Sequence, residues 1–217
     1  MQQKSKISDL PVYFQNLAVK PSEAAHNLGI MFDSSLHMKS HISSICRASF
    51  FQVRQLRQIR SSLDKTSAII LANFMVYTKL AYCNALLYGL PAVSTIRLQY
   101  VQNALARVVC KAPNLQSHNS ALLKELHWLP VPERIKFKIA VMTFKTLNSG
   151  KPSYLADILS IYTPSRNLRS SGTYLLTIPD LRTTFGRRSF SFAALTVGTL
   201  YHTLYALVLL LLFFEVI

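Results

Sequence analysis

A row of basic and polar side chains on a predicted helix is the clearest chemistry in this sequence. Arg47 and Arg54 are two helical turns apart, about 10 Å along one face, and Gln58 follows them on that face. Guanidinium and amide groups at this spacing can follow a nucleic-acid backbone, where phosphate contacts supply affinity without reading the bases. A solvated helix face would show the same row, so both interpretations stay open on this evidence alone.

The spacing of the acidic residues does not indicate catalysis. Acid–base and two-metal mechanisms need converging carboxylates, whereas the 9 Asp and Glu residues stand apart, with no D-D or D-x-D cluster. Asp33 ends a predicted strand and Asp64 begins a predicted helix, so capping is the expected role of both. Glycine-rich phosphate loops, paired Cys and His spacings and a G-x-S-x-G turn are also absent. We therefore predict no catalytic residue, no metal site, no cofactor and no small-molecule substrate.

The charge balance favours a polyanionic partner. The sequence has 24 Lys and Arg residues against 9 Asp and Glu, which gives a net charge of +15. A field of this sign attracts nucleic acid or an acidic membrane surface. Because 50% of the residues are hydrophobic, the chain can also bury a core, which argues against general disorder.

The cysteines and the first residues favour an intracellular location, in the cytoplasm or nucleus. Cys46, Cys83 and Cys110 are few, odd in number and far apart, as expected for thiols in a reducing compartment. The opening MQQKSKISDL has no apolar segment of the kind found in a secretory signal peptide.

The first 37 residues are predicted to form a small β-hairpin unit (1–37). The strings VYFQNLAV (12–19) and LGIMFD (28–33) are rich in strand-forming residues, and KPSEAAHN between them is interpreted as a polar connection. Two short strands are marginal alone in water, so they are expected to belong to a larger sheet.

A helical region is predicted for 38–112 and must position the basic row. The helix from Lys39 has one apolar face, and a second helix, DKTSAIILANFMVYTKLAY, is apolar on most sides and is therefore predicted to be buried. A third helix opens at Ser94, with Arg97, Arg107 and Lys111 directed outward. The predicted inward face of the first helix consists of Ile42, Ile45, Ser49, Val53, Leu56 and Ile59, and that of the third of Leu98, Val101, Leu105, Val108 and Val109.

The remainder is predicted to form a second helical region (113–161), a basic extended linker (162–189) and an apolar tail (190–217). In the second region Pro132 suits the first turn of a helix that stops near Gly150, and Pro152 starts a shorter helix. The linker is rich in polar, Pro and Gly residues and is predicted to be poorly packed. The tail approaches the ~20 residues that a spanning helix requires, so membrane association through 190–217 stays open. The predicted fold is thus mainly α, with an N-terminal hairpin, a helical bundle and an apolar C-terminal helix.

Several strings in this order resemble one protein family. They include NLGIMFDSSLHMKSHI (27–42), LAYCNALLYGLP (80–91), LQYVQNALARVV (98–109) and LKELHWLPVPERIKFKIAVMTFKTLNSGKPSYLADIL (123–159). With LRTTFGRRSFSFAA, which ends at Ala194, they cover most of the chain. The sequence resembles the reverse transcriptases of non-long-terminal-repeat (LINE-type) retrotransposons.

The resemblance implies a part of an RNA-directed DNA polymerase that is inactive alone. In the family, Mg²⁺ is held by palm carboxylates upstream of the string that matches Leu28–Ile30, and no such motif precedes Leu28 here. Leu28, Gly29 and Ile30 resemble the primer-grip hairpin, and the helices from Lys39 resemble the thumb. Arg47 and Arg54 then become expected backbone contacts to a template–primer duplex of RNA or DNA. After Ala194 the chain departs from the family pattern, so a membrane-associated protein and a non-functional translated remnant remain alternatives.

Overall fold

A computed structural model describes residues 12–15, 17–19, 22–112, 118–159 and 176–200 of the chain. Helices dominate these ranges, and two short antiparallel hairpins precede the first of them, which confirms the predicted mainly α fold with an N-terminal hairpin. The strands are β1 (Val12–Phe14), β2 (Leu17–Val19), β3 (Ala24–Asn27) and β4 (Ile30–Asp33). The helices are α1 (Lys39–Ile59), α2 (Lys65–Ala72), α3 (Thr78–Ala81), α4 (Ala92–Val109), α5 (Asn119–Glu125), α6 (Val131–Ser149), α7 (Ser153–Ala156) and α8 (Phe190–Leu200).

The N-terminal strands form two separate hairpins. β1 pairs with β2, and β3 pairs with β4. The prediction that KPSEAAHN is only a connection is therefore wrong for Ala24–Asn27, which form strand β3. The composition of β3 does not suggest a strand, and it forms one because the more apolar β4 pairs with it. Leu28 and Gly29 form the tight turn between β3 and β4, with φ values of 47° and 79° that match a type I′ turn.

Helix α1 is fixed at its start by Asp33. The carboxylate accepts hydrogen bonds from the backbone N–H groups of His37 (2.8 Å) and Lys39 (3.2 Å). It thereby satisfies amide groups at the helix start, which confirms the expected capping role, although Met38 stands at the N-cap position itself.

The predicted inward face of α1 is confirmed up to Leu56 and wrong at Ile59. Ile42, Ser49, Val53 and Leu56 are buried, whereas Ile59 is 49% exposed. The helix continues into a 3₁₀ turn (Arg60–Ser62), and this tighter turn directs Arg60 instead of Ile59 into the core.

The second predicted helix is divided and only partly buried. Asp64 caps α2 by accepting a hydrogen bond from the N–H of Ser67 (3.2 Å), as predicted. A π-helical turn (Asn73–Tyr77) separates α2 from α3. Burial on most sides is wrong, because Phe74 is 77% exposed; the small residues Ala68 and Ala72 face the core instead.

Helix α4 packs along α1. Its predicted inward residues are all buried, although the helix begins at Ala92 rather than at Ser94. The two helices run in the same direction. Arg97, near the start of α4, lies beside Cys46 in the first half of α1, and the last carbonyls of α4 contact Arg60 after the end of α1.

The C-terminal helices form a second packed layer. Helix α6 has Pro132 in its first turn and ends at Gly150 in a left-handed conformation (φ 64°), as predicted. Helix α8 packs closely on α6, and Ala193, Ala194 and Gly198 are buried. A Cβ atom at Gly198 would lie 2.9 Å from Leu176 Cδ1, so only glycine allows this approach without a shift.

The predicted basic linker is packed at two of its described positions. Leu176 is buried, and Arg188 Nη2 donates a hydrogen bond of 2.6 Å to the carbonyl of Leu36. Poor packing is therefore wrong for these residues, because the leucine fills the space over Gly198 and the arginine satisfies a loop carbonyl. Residues 201–217 of the predicted apolar tail lie outside the described residues. Within the described part of the chain, no helix has the length and apolar character needed to cross a membrane.

Candidate nucleic-acid interface

The structure places the predicted basic row on the outer side of α1. Arg47, Arg54 and Gln58 are all exposed, while the buried residues of α1 lie on its other side against the core. Arg57, which follows Arg54 by one turn, is exposed as well. The row is therefore accessible to a large ligand.

Helix α4 adds a second row beside the first. We use the term α1–α4 groove for the surface between the exposed sides of these parallel helices. Cations lie at both of its ends. Arg47 and Arg97 line a cavity where the helices begin, and Arg57, Lys111 and the half-buried Arg107 line one where they terminate. Arg54 is exposed between Arg47 and Arg57 on α1. Five of these basic residues, all except Arg57, were predicted from the sequence to face outward, but their two rows could not be placed side by side.

The end of the groove where both helices begin combines cations with aromatic rings. A cavity of about 480 Å³ is lined there by Ser43, Cys46, Arg47, Phe50, Arg97 and Tyr100. Phe50 is 40% exposed and Tyr100 is 62% exposed. These two rings therefore lie outside the core. Both rings follow an arginine by three residues, at Arg47–Phe50 and Arg97–Tyr100, but the same spacing occurs at Arg134–Phe137, Arg182–Phe185 and Arg187–Phe190, so it does not single them out.

The end where both helices terminate is basic and lacks aromatic lining. A cavity of about 460 Å³ is lined there by Arg57, Arg60, Ser61, Arg107, Val108, Lys111 and Ala112. Anions are the ligands that such a concentration of guanidinium and ammonium groups favours.

Arg60 forms the floor of this second cavity and is itself buried, with 7% exposure. Its Nε donates to the carbonyls of Val108 (3.2 Å) and Val109 (3.0 Å), and its Nη2 donates to Val109 at 2.6 Å. Nη1 donates to the carbonyl of Leu63 at 2.7 Å. These carbonyls include the orphan acceptors at the end of α4, where a cation also interacts favourably with the helix dipole. Arg60 is therefore committed to holding α1 and α4 together.

Negative charge is scarce along the groove. Neither α1 nor α4 contains an Asp or a Glu. In the described ranges, no carboxylate forms an ion pair with the exposed cations of the groove, and Glu125, close to its basic end, pairs with Lys65. Burial raises the pKa of the Cys46 thiol and of the Cys110 thiol, so both stay neutral near pH 7. The positive potential of the groove is thus left uncompensated by the protein.

The residues that resemble a primer grip lie at the tip of the β3–β4 hairpin. Leu28 is exposed, Gly29 completes the turn and Ile30 is buried. Tyr82 Oη donates a hydrogen bond of 2.8 Å to the carbonyl of Leu28, which ties the tip to the segment after α3. The cavity beside Gly29 is lined by Ser44 and Ala48 of α1 and shares no residue with either cavity of the groove. The structure therefore does not bring the hairpin tip and the basic row into one site.

Within the described ranges, no three or more His, Cys, Asp or Glu side chains are grouped to hold a metal ion. Comparison of the chain with models of known protein families, with curated proteins and with solved structures gave no match.

Proposed function

We propose that this chain is a non-catalytic, nucleic-acid-binding part of a retrotransposon reverse transcriptase. The α1–α4 groove contacts the phosphates of a template–primer duplex of RNA or DNA. The observation that carries the proposal is a groove lined by exposed cations from two parallel helices, neither of which contains an acidic residue.

The dimensions of the groove suit a nucleic-acid backbone. The rows from Arg47 to Arg57 and from Arg97 to Arg107 each extend about 15 Å by helix rise. One strand of a duplex presents a phosphate about every 3.4 Å along the axis, so roughly four phosphates fall within this length. Contacts of this kind release counterions, which makes the affinity strongly dependent on salt.

The resemblance stated above supports the same assignment. The helices that form the groove include the strings similar to the family's thumb, the part that grips the template–primer duplex. Polymerization is not expected, because the catalytic carboxylates of the family belong to a palm that the matching strings do not include.

The salt dependence of duplex binding tests this proposal. Fluorescence anisotropy with a labelled primer–template duplex, repeated over a range of KCl concentrations, gives the slope of log K against log[KCl]. Replacing both Arg47 and Arg54 by Ala should make this slope less negative by about 2, since each lost phosphate contact contributes roughly 0.9.

The matched control removes two exposed lysines from α6, by Lys138→Ala with Lys145→Ala, which changes the net charge equally. If the control shifts the slope as much as the groove variant does, binding follows net charge alone and the proposed site is wrong. If the wild-type chain shows no salt-dependent binding to the duplex, the proposed function is wrong.

A further inference from the structure

We infer that the aromatic end of the α1–α4 groove is a stacking site for an unpaired base of single-stranded nucleic acid. The inference rests on the proposed function, because it assigns a ligand to one end of the same groove. It adds a difference between the two ends: cations contact phosphates at both, and only the end where the helices begin also holds a base.

The side chains at the aromatic end suit this ligand. Phe50 from α1 and Tyr100 from α4 line one cavity together with the guanidinium groups of Arg47 and Arg97. Within the described part of the chain neither ring stacks on another ring or lies under a cation, since the recorded contacts of those kinds join Tyr77 to Trp128 and to Arg134. Phe50 is 40% exposed and Tyr100 is 62% exposed, so part of each side chain is open to a ligand.

The size of the cavity also suits a nucleobase. The space at this end is about 480 Å³ and is open to solvent, so a planar group of the size of a base can enter it from outside. A nucleobase with its sugar can enter, and Arg47 and Arg97 then flank the phosphate on either side. This is the combination found in single-strand binding, where rings hold the bases and cations hold the backbone.

The interior base pairs of a duplex cannot use these rings. Its bases are stacked on one another, so a protein ring outside the helix meets only edges and backbone. An unpaired base has a free π-face, and stacking on it tolerates any sequence. The rings thus favour a single strand, or a single-stranded extension next to a duplex, over a blunt duplex.

The opposite end of the groove serves as an internal comparison. It has cations on both helices and a cavity of about 460 Å³, but no aromatic lining residue. Phosphate contact is the interaction that these side chains offer. The ring-containing end alone should therefore distinguish paired from unpaired nucleic acid.

The experiment measures binding of the full chain to a short single-stranded DNA and to a blunt duplex of the same length. The single strand carries one 2-aminopurine, whose fluorescence changes when it stacks on an aromatic ring. We expect wild-type protein to change this fluorescence on binding. Replacing Phe50 and Tyr100 together by Leu should abolish the change and lower the ratio of single-strand to duplex affinity about tenfold.

The control replaces two other exposed rings, by Phe51→Leu with Phe74→Leu, and should leave the affinity ratio within twofold of wild type. Far-UV circular dichroism and urea titration establish that the variants fold. The stacking site is wrong if wild-type protein binds the single strand without any change in 2-aminopurine fluorescence, or if the control lowers the affinity ratio equally. Absence of salt-dependent binding to both ligands would instead refute the proposed function, so the two failures are distinguishable.

Discussion

The two ends of α1 are attached to the fold by opposite charges. At the start, the Asp33 carboxylate accepts hydrogen bonds from backbone amides, and after the end, the Arg60 guanidinium donates hydrogen bonds to backbone carbonyls. Each charge meets the backbone groups that a helix terminus leaves without partners. The attachments differ in depth, because Arg60 is buried while Asp33 lies near the surface. We therefore expect the two attachments to contribute unequally to the free energy of unfolding and to respond differently to acid.

The largest expected effect follows from removing the buried attachment. Arg60→Met keeps an apolar stem but removes the guanidinium donors to the carbonyls of Val109 and Leu63, while the carbonyl of Val108 keeps the N–H of Lys111. We expect the free energy of unfolding to fall by about 2–4 kcal/mol, since each unsatisfied buried group costs roughly 1–3 kcal/mol. Urea denaturation followed by circular dichroism measures this change. Arg57→Met, at an exposed position in the same segment, should stay within about 0.5 kcal/mol of wild type; equal losses would show that Arg60 has no special role.

We expect a smaller loss for Asp33→Asn. The free energy of unfolding should fall by about 1 kcal/mol at pH 7, as it does when a helix cap is removed. Burial acts to raise the pKa of Asp33, but hydrogen bonds from Ser35, His37 and Lys39 outweigh it and hold the pKa below its ordinary value. A carboxyl with a lowered folded-state pKa stabilises the fold above the unfolded pKa, about 3.9, and this contribution is lost as the pH falls through the folded value.

The difference between wild type and Asp33→Asn should therefore be constant near neutral pH and shrink as the pH falls below about 4. The difference between wild type and Arg60→Met should not shrink in this way, because arginine keeps its charge. Urea titrations repeated from pH 7 to pH 3 test both statements. Parallel pH profiles for the two variants would remove the proposed distinction between the two ends.

The smallest expected effect is a gain in stability at the hairpin that carries Asp33. Leu28 adopts a left-handed conformation with φ 47°, which strains a side chain of this type. Leu28→Asn creates the Asn-Gly pair that type I′ turns prefer, so we expect a stabilisation of about 0.5 kcal/mol. Ile70→Asn, also an exposed substitution but within α2, should give no gain in the same urea titration. If Leu28→Asn lowers the free energy of unfolding instead, the leucine side chain makes contacts that outweigh the backbone strain.

The sequence predicts local features of this fold well. The period of α1, the Asp64 cap and the stop at Gly150 depend on neighbouring residues, and each is confirmed. The errors arise where a distant element decides the outcome. Arg60 is buried because carbonyls 48 and 49 residues away accept its hydrogen bonds, and no local pattern announces them. Phe74 is exposed because no described element covers that side of α2 and α3.

The candidate site also combines features that the sequence predicts with features that only the tertiary structure reveals. Periodicity placed Arg47 and Arg54 on an outer helix face, and the structure has them there. The groove itself could not be predicted, because it depends on α4 lying parallel to α1. The rings of Phe50 and Tyr100 were missed since an aromatic residue in an amphipathic helix usually packs inward, and only the tertiary arrangement reveals an open side.

The shared direction of α1 and α4 has a consequence for the orientation of a bound nucleic acid. Two antiparallel helices would make a groove with similar ends, and a bound strand could enter it in either sense. Here both helix starts, with the rings, lie at one end, and both helix termini, with the densest cations, lie at the other. A duplex with a single-stranded extension that fills both ends therefore lies in one sense only, with its unpaired bases where the helices begin and its paired segment where they terminate.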